Sequence, residues 1–311
     1  MRIYGPVPSR RFGLSLGVDL IPFKTCPFDC IYCQLGETDT LSSTLKQFYT
    51  MQEILADVKK ALKDNPKPDV ITLAGSGEPT LYKGLDVLID ELKKLDDIPV
   101  LLITNAALLW KKEVAAAALK ANILAPSLDA GDEKTFARVN RPHIDITFEK
   151  FLKGLRDVTN AHTGEIRLEI MLIKNVNDSE KSMRAMANLL KDIRYDRIDL
   201  NTPVRPPVPE RGALPCNDDT LAMAQKIFGP KAHPIGSFIK KRDTHSLGGR
   251  SFDDRDKDVR EMLMRRPCTA KDISDSMNIN IHEVIKIIGR LVQAGLATEQ
   301  PSDKDIYYRA G

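Results

Sequence analysis

From about residue 12 to 204, short apolar runs alternate with longer stretches in which apolar positions recur every three or four residues. The runs are "GLSLGVDL", "DVITLAG", "PVLLITN", "NILAPSLD", "IRLEIMLI" and "RIDLNTP". In the first, Leu14, Leu16, Val18 and Leu20 alternate with other residues, the period of a strand. Most of the others are nearly continuous apolar runs, as parallel strands covered by helices on their faces require. Between them, "MQEILADVKKALKDN", "GLDVLIDELKKL", "KKEVAAAALKA", "TFEKFLKGLRDVTNA" and "SEKSMRAMANLLKDI" each carry an apolar stripe of helical period. Six such units predict an α/β sheet, open or curled into a partial barrel, since a closed barrel of this type needs eight.

After "PVRPPVPERGALP" the alternation weakens to one helix, "DTLAMAQKIFG", and then a basic, glycine-rich stretch, "KKRDTHSLGGRS". The expected division is a large domain over 1–240, a linker over 241–253 and a small domain over 254–311. In the last segment "DVREMLMRR", "TAKDISDSMN" and "IHEVIKIIGRLVQAG" read as three helices and "LATEQPSDKDIYYRAG" as a hairpin. That order predicts a winged helix-turn-helix domain. In its third helix Ile281, Val284, Ile285, Ile288, Leu291 and Val292 are expected on the core face, with His282, Lys286 and Arg290 on the other.

Composition narrows the class. The chain has 311 residues, 29% charged and 42% hydrophobic, and no apolar run long enough to span a membrane. The first residues lack the apolar core of a secretory signal, so a cytoplasmic location is expected. A net charge of +3 does not by itself indicate a nucleic-acid partner. In the small domain acids and bases nearly balance, which favours docking of a partner or substrate over DNA binding. Five cysteines, an odd number, argue against a disulfide framework.

Three of the five stand close together in "LIPFKTCPFDCIYCQLGE", as Cys26, Cys30 and Cys33. Three thiols beside Pro, Asp and Lys make poor core material. A zinc site of Cys3His type would want a histidine nearby, and the nearest downstream is His143. An iron–sulfur cluster held by thiolates fits better. With three protein ligands, a four-iron cluster keeps one iron open, and an open metal position is where a catalytic site takes a reactant.

The C-x3-C-x2-C loop after the first strand, with Tyr32 before its last cysteine, resembles the radical S-adenosylmethionine (SAM) superfamily. The wider run "YGPVPSRRFGLSLGVDLIPFKTCPFDCIYCQLGE" resembles a group of iron–sulfur oxidoreductases related to the wyosine-forming tRNA enzymes of that superfamily. The resemblance covers about residues 3–205. It implies a partial (β/α)6 TIM-like barrel, with a [4Fe–4S] cluster on Cys26, Cys30 and Cys33 and SAM on its open iron. Reductive cleavage of SAM would then give a 5′-deoxyadenosyl radical that abstracts hydrogen from a substrate: an RNA base, a peptide or a metabolite. An electron donor such as a flavodoxin or ferredoxin is the implied partner. The wyosine-forming enzymes carry a second cluster on cysteines upstream of the triad, and this sequence has none before Cys26.

By the same resemblance, Tyr32 and the turn Ser76, Gly77, Glu78 in "LAGSGEPT" hold SAM, and Ser127 and Asp129 in "SLDAGDEKTF" contact it. A plain β-α turn and a helix N-cap are the competing readings of those two segments. Asn105, Glu169, Lys174, Asn175, Asn177, Asn201, Thr202 and Arg205 fall at or near strand C-terminal ends, the rim that carries active sites in β-α folds. Asn105 is expected against the cofactor, and Glu169, Lys174, Asn201 and Arg205 against substrate. Glu169 and Arg167 share strand parity and would face inward together or form a structural ion pair. Cys216 reads as a bystander and Cys268 as core. A cluster-based redox sensor binding DNA through the small domain is the alternative from another functional class.

Overall fold

Two hydrophobic patterns meet in one eight-stranded sheet. The computed structural model describes residues 2–9, 11–203, 211–235, 252–277, 279–302 and 305–311. The chain opens with a hairpin of β1 (Ile3–Ser9) and β2 (Gly13–Val18), then a short pair, β3 (Thr25–Cys26) and β4 (Thr40–Leu41). There follow α1 (Met51–Asp64), β5 (Val70–Leu73), α2 (Leu85–Lys93), β6 (Val100–Thr104), α3 (Lys112–Lys120) and β7 (Ile123–Pro126). Next come α4 (Glu133–Asn140), α5 (Phe148–Ala161), β8 (Glu165–Met171), α6 (Glu180–Leu189), β9 (Arg197–Asn201), α7 (Asp218–Phe228) and β10 (Ala232–Pro234). The sheet order is β1-β2-β5-β6-β7-β8-β9-β10, parallel throughout except for β1 against β2.

All six expected strands form. Their alternate side chains explain the apolar runs: Leu16, Val18, Ile71, Leu73, Leu102, Leu124, Leu168 and Leu200 pack under the helices in the main core. On the other face Phe12, Val70, Leu101 and Ala125 form a second, smaller cluster. β1 and β10 were not foreseen. The first carries Pro6 and Pro8, which an edge strand tolerates, and the second is too short to show a period.

The sheet curls around that second face. β2 and β8 are four strand positions apart, which in a flat sheet would be about 19 Å at roughly 4.8 Å per step. Yet Arg167 of β8 donates to the carbonyl of Arg11, just before β2, at 2.8 Å. The Arg11 guanidinium also pairs with Glu169 and lies 3.8 Å from the fully buried Asp199. Arg167 further pairs with Glu165. Glu169 and Arg167 therefore do share the inner face, but each finds a structural ionic partner there, the competing outcome set out above.

The C-terminal unit runs α8 (Phe252–Arg265), β11 (Cys268–Thr269), α9 (Ala270–Met277), α10 (Ile281–Gln293), β12 (Ala297–Pro301) and β13 (Ile306–Ala310). Its strands form a sheet of order β11-β13-β12. α8 begins at Phe252, inside the expected linker, while 241–251 lie outside the described residues. Cys268 is buried among Val259, Leu263, Val284 and Ile288, as expected of a core residue. The expected face of α10 is corrected at one position: Ile287 is buried and Ile285 is exposed. Val284, Ile287, Ile288 and Leu291 make the a/d-type stripe, and Ile285 falls off it by one step of about 100°. Among the described residues no helix is long and apolar enough to cross a membrane.

Candidate functional site

The cysteine loop is fastened from several sides at the C-terminal edge of the parallel strands. It enters through Lys24, whose backbone is left-handed and whose N–H donates to the Ser76 carbonyl at 2.7 Å. Phe28 anchors it in an aromatic cluster with Phe136 and Phe151. The Asp29 and Ile31 N–H groups donate to Asn140 and Val139 at the end of α4. A turn closes Cys30 onto Cys33, and Gly36, with φ of 90°, ends it. The Arg211 guanidinium grips Asp29 through both carboxylate oxygens at 2.7 and 2.9 Å and donates to the carbonyls of Asp29 and Cys30. One nitrogen, Nη2, serves both oxygens while Nη1 serves the two carbonyls, and the charges on both partners strengthen the contact.

Two of the three sulfurs have amide donors. Asn105 Nδ2 donates to Cys26 Sγ at 3.3 Å and Asn140 Nδ2 to Cys30 Sγ at 3.5 Å. Burial pushes all three thiols up, with Glu78 adding to the effect at Cys26 and Asp129 at Cys30. Unligated, they are neutral thiols, Cys30 buried and the other two half-buried. Among the described residues no three His, Cys, Asp or Glu side chains are placed to hold a single metal ion. A donor set of three thiols, spread rather than converging on one point and supplied with N–H donors to sulfur, suits a polynuclear cluster with one cysteine per iron.

The turn after β5 interlocks with this loop. A Cβ on Gly77 would stand 2.1 Å from the Thr25 carbonyl and one on Gly75 would stand 2.2 Å from the Asp19 carboxyl, so only glycine permits the approach. The Asp19 carboxylate accepts from the Ser76 N–H at 3.0 Å and its hydroxyl at 2.6 Å. Glu78, buried, accepts from the Thr80 N–H and hydroxyl, the Thr104 hydroxyl and the Asn105 N–H at 2.6–3.1 Å. Burial raises its pKa, and those four donors oppose the rise. The side chains of Ser76 and Glu78, expected to meet a ligand, are thus turned inward, where they shape the turn and place Asn105 beside Cys26.

Tyr32 is held in the same way. Its hydroxyl donates to Asp129 Oδ2 at 2.5 Å, and Asp129 also accepts from Asn140 Nδ2 at 3.0 Å and the Met171 N–H at 2.9 Å. Burial and the Asp129 charge keep the Tyr32 phenol protonated. Asp129, expected to contact a ligand through its carboxylate, spends that carboxylate on Tyr32. Ser127 shares parity with Ile123 and Ala125, on the inner face of the sheet, and bridges to Glu169. The N-cap of α4 is Asp132, which accepts from the Thr135 N–H.

The rim candidates divide. Asn201 is half-buried at the end of β9, while Lys174 and Asn175 are exposed. Asn177 is fully buried and bonds the carbonyls of Asp129 and Met171, a structural position. Thr202 accepts from the Cys216 N–H, and Arg205 lies outside the described residues. Cys216, its thiol pushed up to about 11 by burial, sits against Thr202 and Asp178. Sequence reasoning missed Asp19, Thr104, Asn140 and Arg211. Only Asp19, a lone acid at the end of an apolar strand, left a readable signal. Arg211→Ala is expected to loosen the cysteine loop, because a charged hydrogen-bond set of this kind contributes about 2 kcal/mol or more. The check is iron content after reconstitution, which should fall while melting of the C-terminal unit is unchanged.

A model of the family described as the Radical SAM superfamily matches residues 20–187. A UPF0026 protein of Methanocaldococcus jannaschii is 31% identical, covering 98% of this chain and 94% of that protein. A protein named GTPase Obg from Brachyspira hyodysenteriae is 38% identical over 96% of this chain, which spans only 44% of that relative's length. Among solved structures, a radical SAM methyltransferase from Sphaerobacter thermophilus superimposes with a TM-score of 0.53 at 18% identity, over 71% of this chain and 65% of its own, a likeness of fold.

Proposed function

Because the chain belongs to the radical SAM superfamily and to the UPF0026 proteins within reach of it, we propose that it is an enzyme that splits SAM reductively and uses the product to take hydrogen from a substrate. The superfamily's cofactors are a [4Fe–4S] cluster and SAM. When bound, the cluster, once reduced, would supply the one electron that cleaves SAM to methionine and a 5′-deoxyadenosyl radical. The observation that carries the reading is the interlock of a three-thiol loop with the glycine turn after β5.

Each part of the chain has a task in this reading. Cys26, Cys30 and Cys33 would hold the cluster through their thiolates, and with only three protein ligands an open position would remain for SAM. The Asn105 and Asn140 amides donate to two of the sulfurs and favour their thiolate form. Cys30 is buried and Cys26 and Cys33 are half-buried, so water has limited access to the site. Asp129 holds Tyr32 in place, Asp19 holds the Ser76 backbone where a SAM headgroup would meet it, and Glu78 ties the end of that turn to Thr104 and Asn105. Asn201 and Ser127 are the candidates for contact inside the curl. A flavodoxin or ferredoxin would supply the electron.

The C-terminal unit, with three helices and a three-stranded sheet in the order α-β-α-α-β-β, fits a winged helix used for substrate or partner docking. A DNA-binding sensor is disfavoured by a specific contact: Arg290, one of the two cations expected on the outer face of α10, is paired with Asp256 of α8. The test of the whole reading is anaerobic reconstitution, reduction with dithionite and addition of SAM. Release of 5′-deoxyadenosine is expected. A protein with four irons per chain that releases none would refute it.

A further inference from the structure

Where the C-terminal unit meets the barrel it borders a half-open cavity of about 900 Å³. This is the upper end of the roughly 300–1,000 Å³ usual for small-molecule sites, and junctions between units are a favoured place for them. The inner wall holds Gln34, next to Cys33, and Ala74 and Gly75, just before the Ser76 turn. Helices α8 and α9 form the outer wall. Two contacts bind the walls together at the site. The Arg265 guanidinium stacks on the Tyr4 ring at 4.2 Å, while the Tyr4 hydroxyl reaches the Ala74 carbonyl at 3.5 Å. Arg309 of β13 donates to the Leu35 carbonyl at 3.1 Å, beside the cysteine loop. The cavity therefore touches both loops of the candidate active site, and about a third of its lining comes from the small unit.

Its chemistry speaks against a nucleic acid. A polyanion would meet Asp57, Asp64, Asp258 and Glu261 as well as four cations in the lining. Stacking on Tyr4 is blocked, since its ring lies between Arg265 and Gly17, where an added Cβ would stand 2.0 Å from the ring. The Tyr49 ring already carries Arg2, at 5.2 Å. Arg2 and Lys60 are engaged on their own wall with Asp57 and Asp64. The Glu261 and Arg266 side chains, one of each sign, line the cavity without a hydrogen bond or ion pair to a described residue; the Arg266 carbonyl, not its side chain, accepts from the Cys268 thiol. The cavity also runs along Ile3–Val7 of β1, an edge strand paired on one side only, by β2. An open strand edge is what an extended backbone pairs with, and here the regular part is Ile3–Tyr4, since the register shifts between Tyr4 and Val7 and Pro6 has no N–H.

We propose that this cavity is the substrate site and that its occupant is an extended peptide segment bearing charges of both signs, which Glu261 and Arg266 recognise. The inference rests on the radical SAM reading. One hydrogen atom leaves a substrate carbon and joins C5′ of the deoxyadenosyl group, the unpaired electron remaining on that carbon. Reconstituted protein with unlabelled SAM is to be incubated with a peptide fraction or an RNA fraction from perdeuterated cells, and 5′-deoxyadenosine analysed for deuterium. Label from the peptide fraction is expected, with slower amide exchange over Ile3–Val7 when the same peptides are added. The Glu261→Lys/Arg266→Glu double variant, which swaps polarity without changing net charge, should lower the label at least tenfold at unchanged iron content. Label from RNA, label from neither fraction, or full label in the double variant would overturn the proposal. Absence of any 5′-deoxyadenosine would instead remove the catalytic reading on which it stands.

Discussion

Cys30→Ala is expected to yield a folded protein that takes up almost no iron on reconstitution and releases 5′-deoxyadenosine only at background. The side chain is buried beside Asn140, so removing one sulfur atom leaves a small void, at a cost of about 1 kcal/mol. The loop keeps its other fastenings, namely the Phe28 aromatic cluster, the Arg211 grip on Asp29 and the backbone bonds to the end of α4. Loss of function would thus come from loss of a ligand, and circular dichroism would show an intact fold. Cys26→Ala and Cys33→Ala should behave alike. Cys216→Ala should keep its iron, because that thiol sits against Thr202 and Asp178 instead. A Cys30→Ala protein with full iron and normal SAM cleavage would remove the three-thiolate account.

Glu78→Ala should be the most destabilising single change in the site. It strips the partner from four donors at once: two on Thr80, the Thr104 hydroxyl and the Asn105 N–H. Buried donors left unmatched cost about 1–3 kcal/mol each, and with partial recovery by water a total of at least about 3 kcal/mol is expected. Denaturant unfolding measures this directly. Glu78→Gln separates the two ends of the carboxylate. Its oxygen can still serve the threonines, but its amide would face the Asn105 N–H, donor against donor. The expected loss is smaller, about 1–2 kcal/mol, and it falls on the residue that donates to Cys26. A changed spectrum of the reconstituted centre in Glu78→Gln, with little change in melting, would be the sign of that coupling. Equal stability of Glu78→Ala and the parent would contradict the hydrogen-bond accounting.

Sequence alone determined the parts of this protein whose physics is local. Six strands were legible because a strand buried on both faces must be apolar almost throughout, whatever lies above it. The three cysteines were legible because ligands on one short loop share a site by chain connectivity. Tertiary structure decided what each polar side chain does. Asp129 and Glu78 stood at the expected strand ends, yet their carboxylates serve Tyr32 and Thr104 rather than open space. Asn140 meets Cys30 across 110 residues and Arg211 meets Asp29 across 182, separations at which composition and period carry no information. The closure of the sheet through Arg11, Arg167 and Glu169, and the cavity between the two units, arise in the same way. Apolar burial is a one-body preference that each residue displays by itself. A hydrogen bond or ion pair needs two partners, and only folding chooses the second.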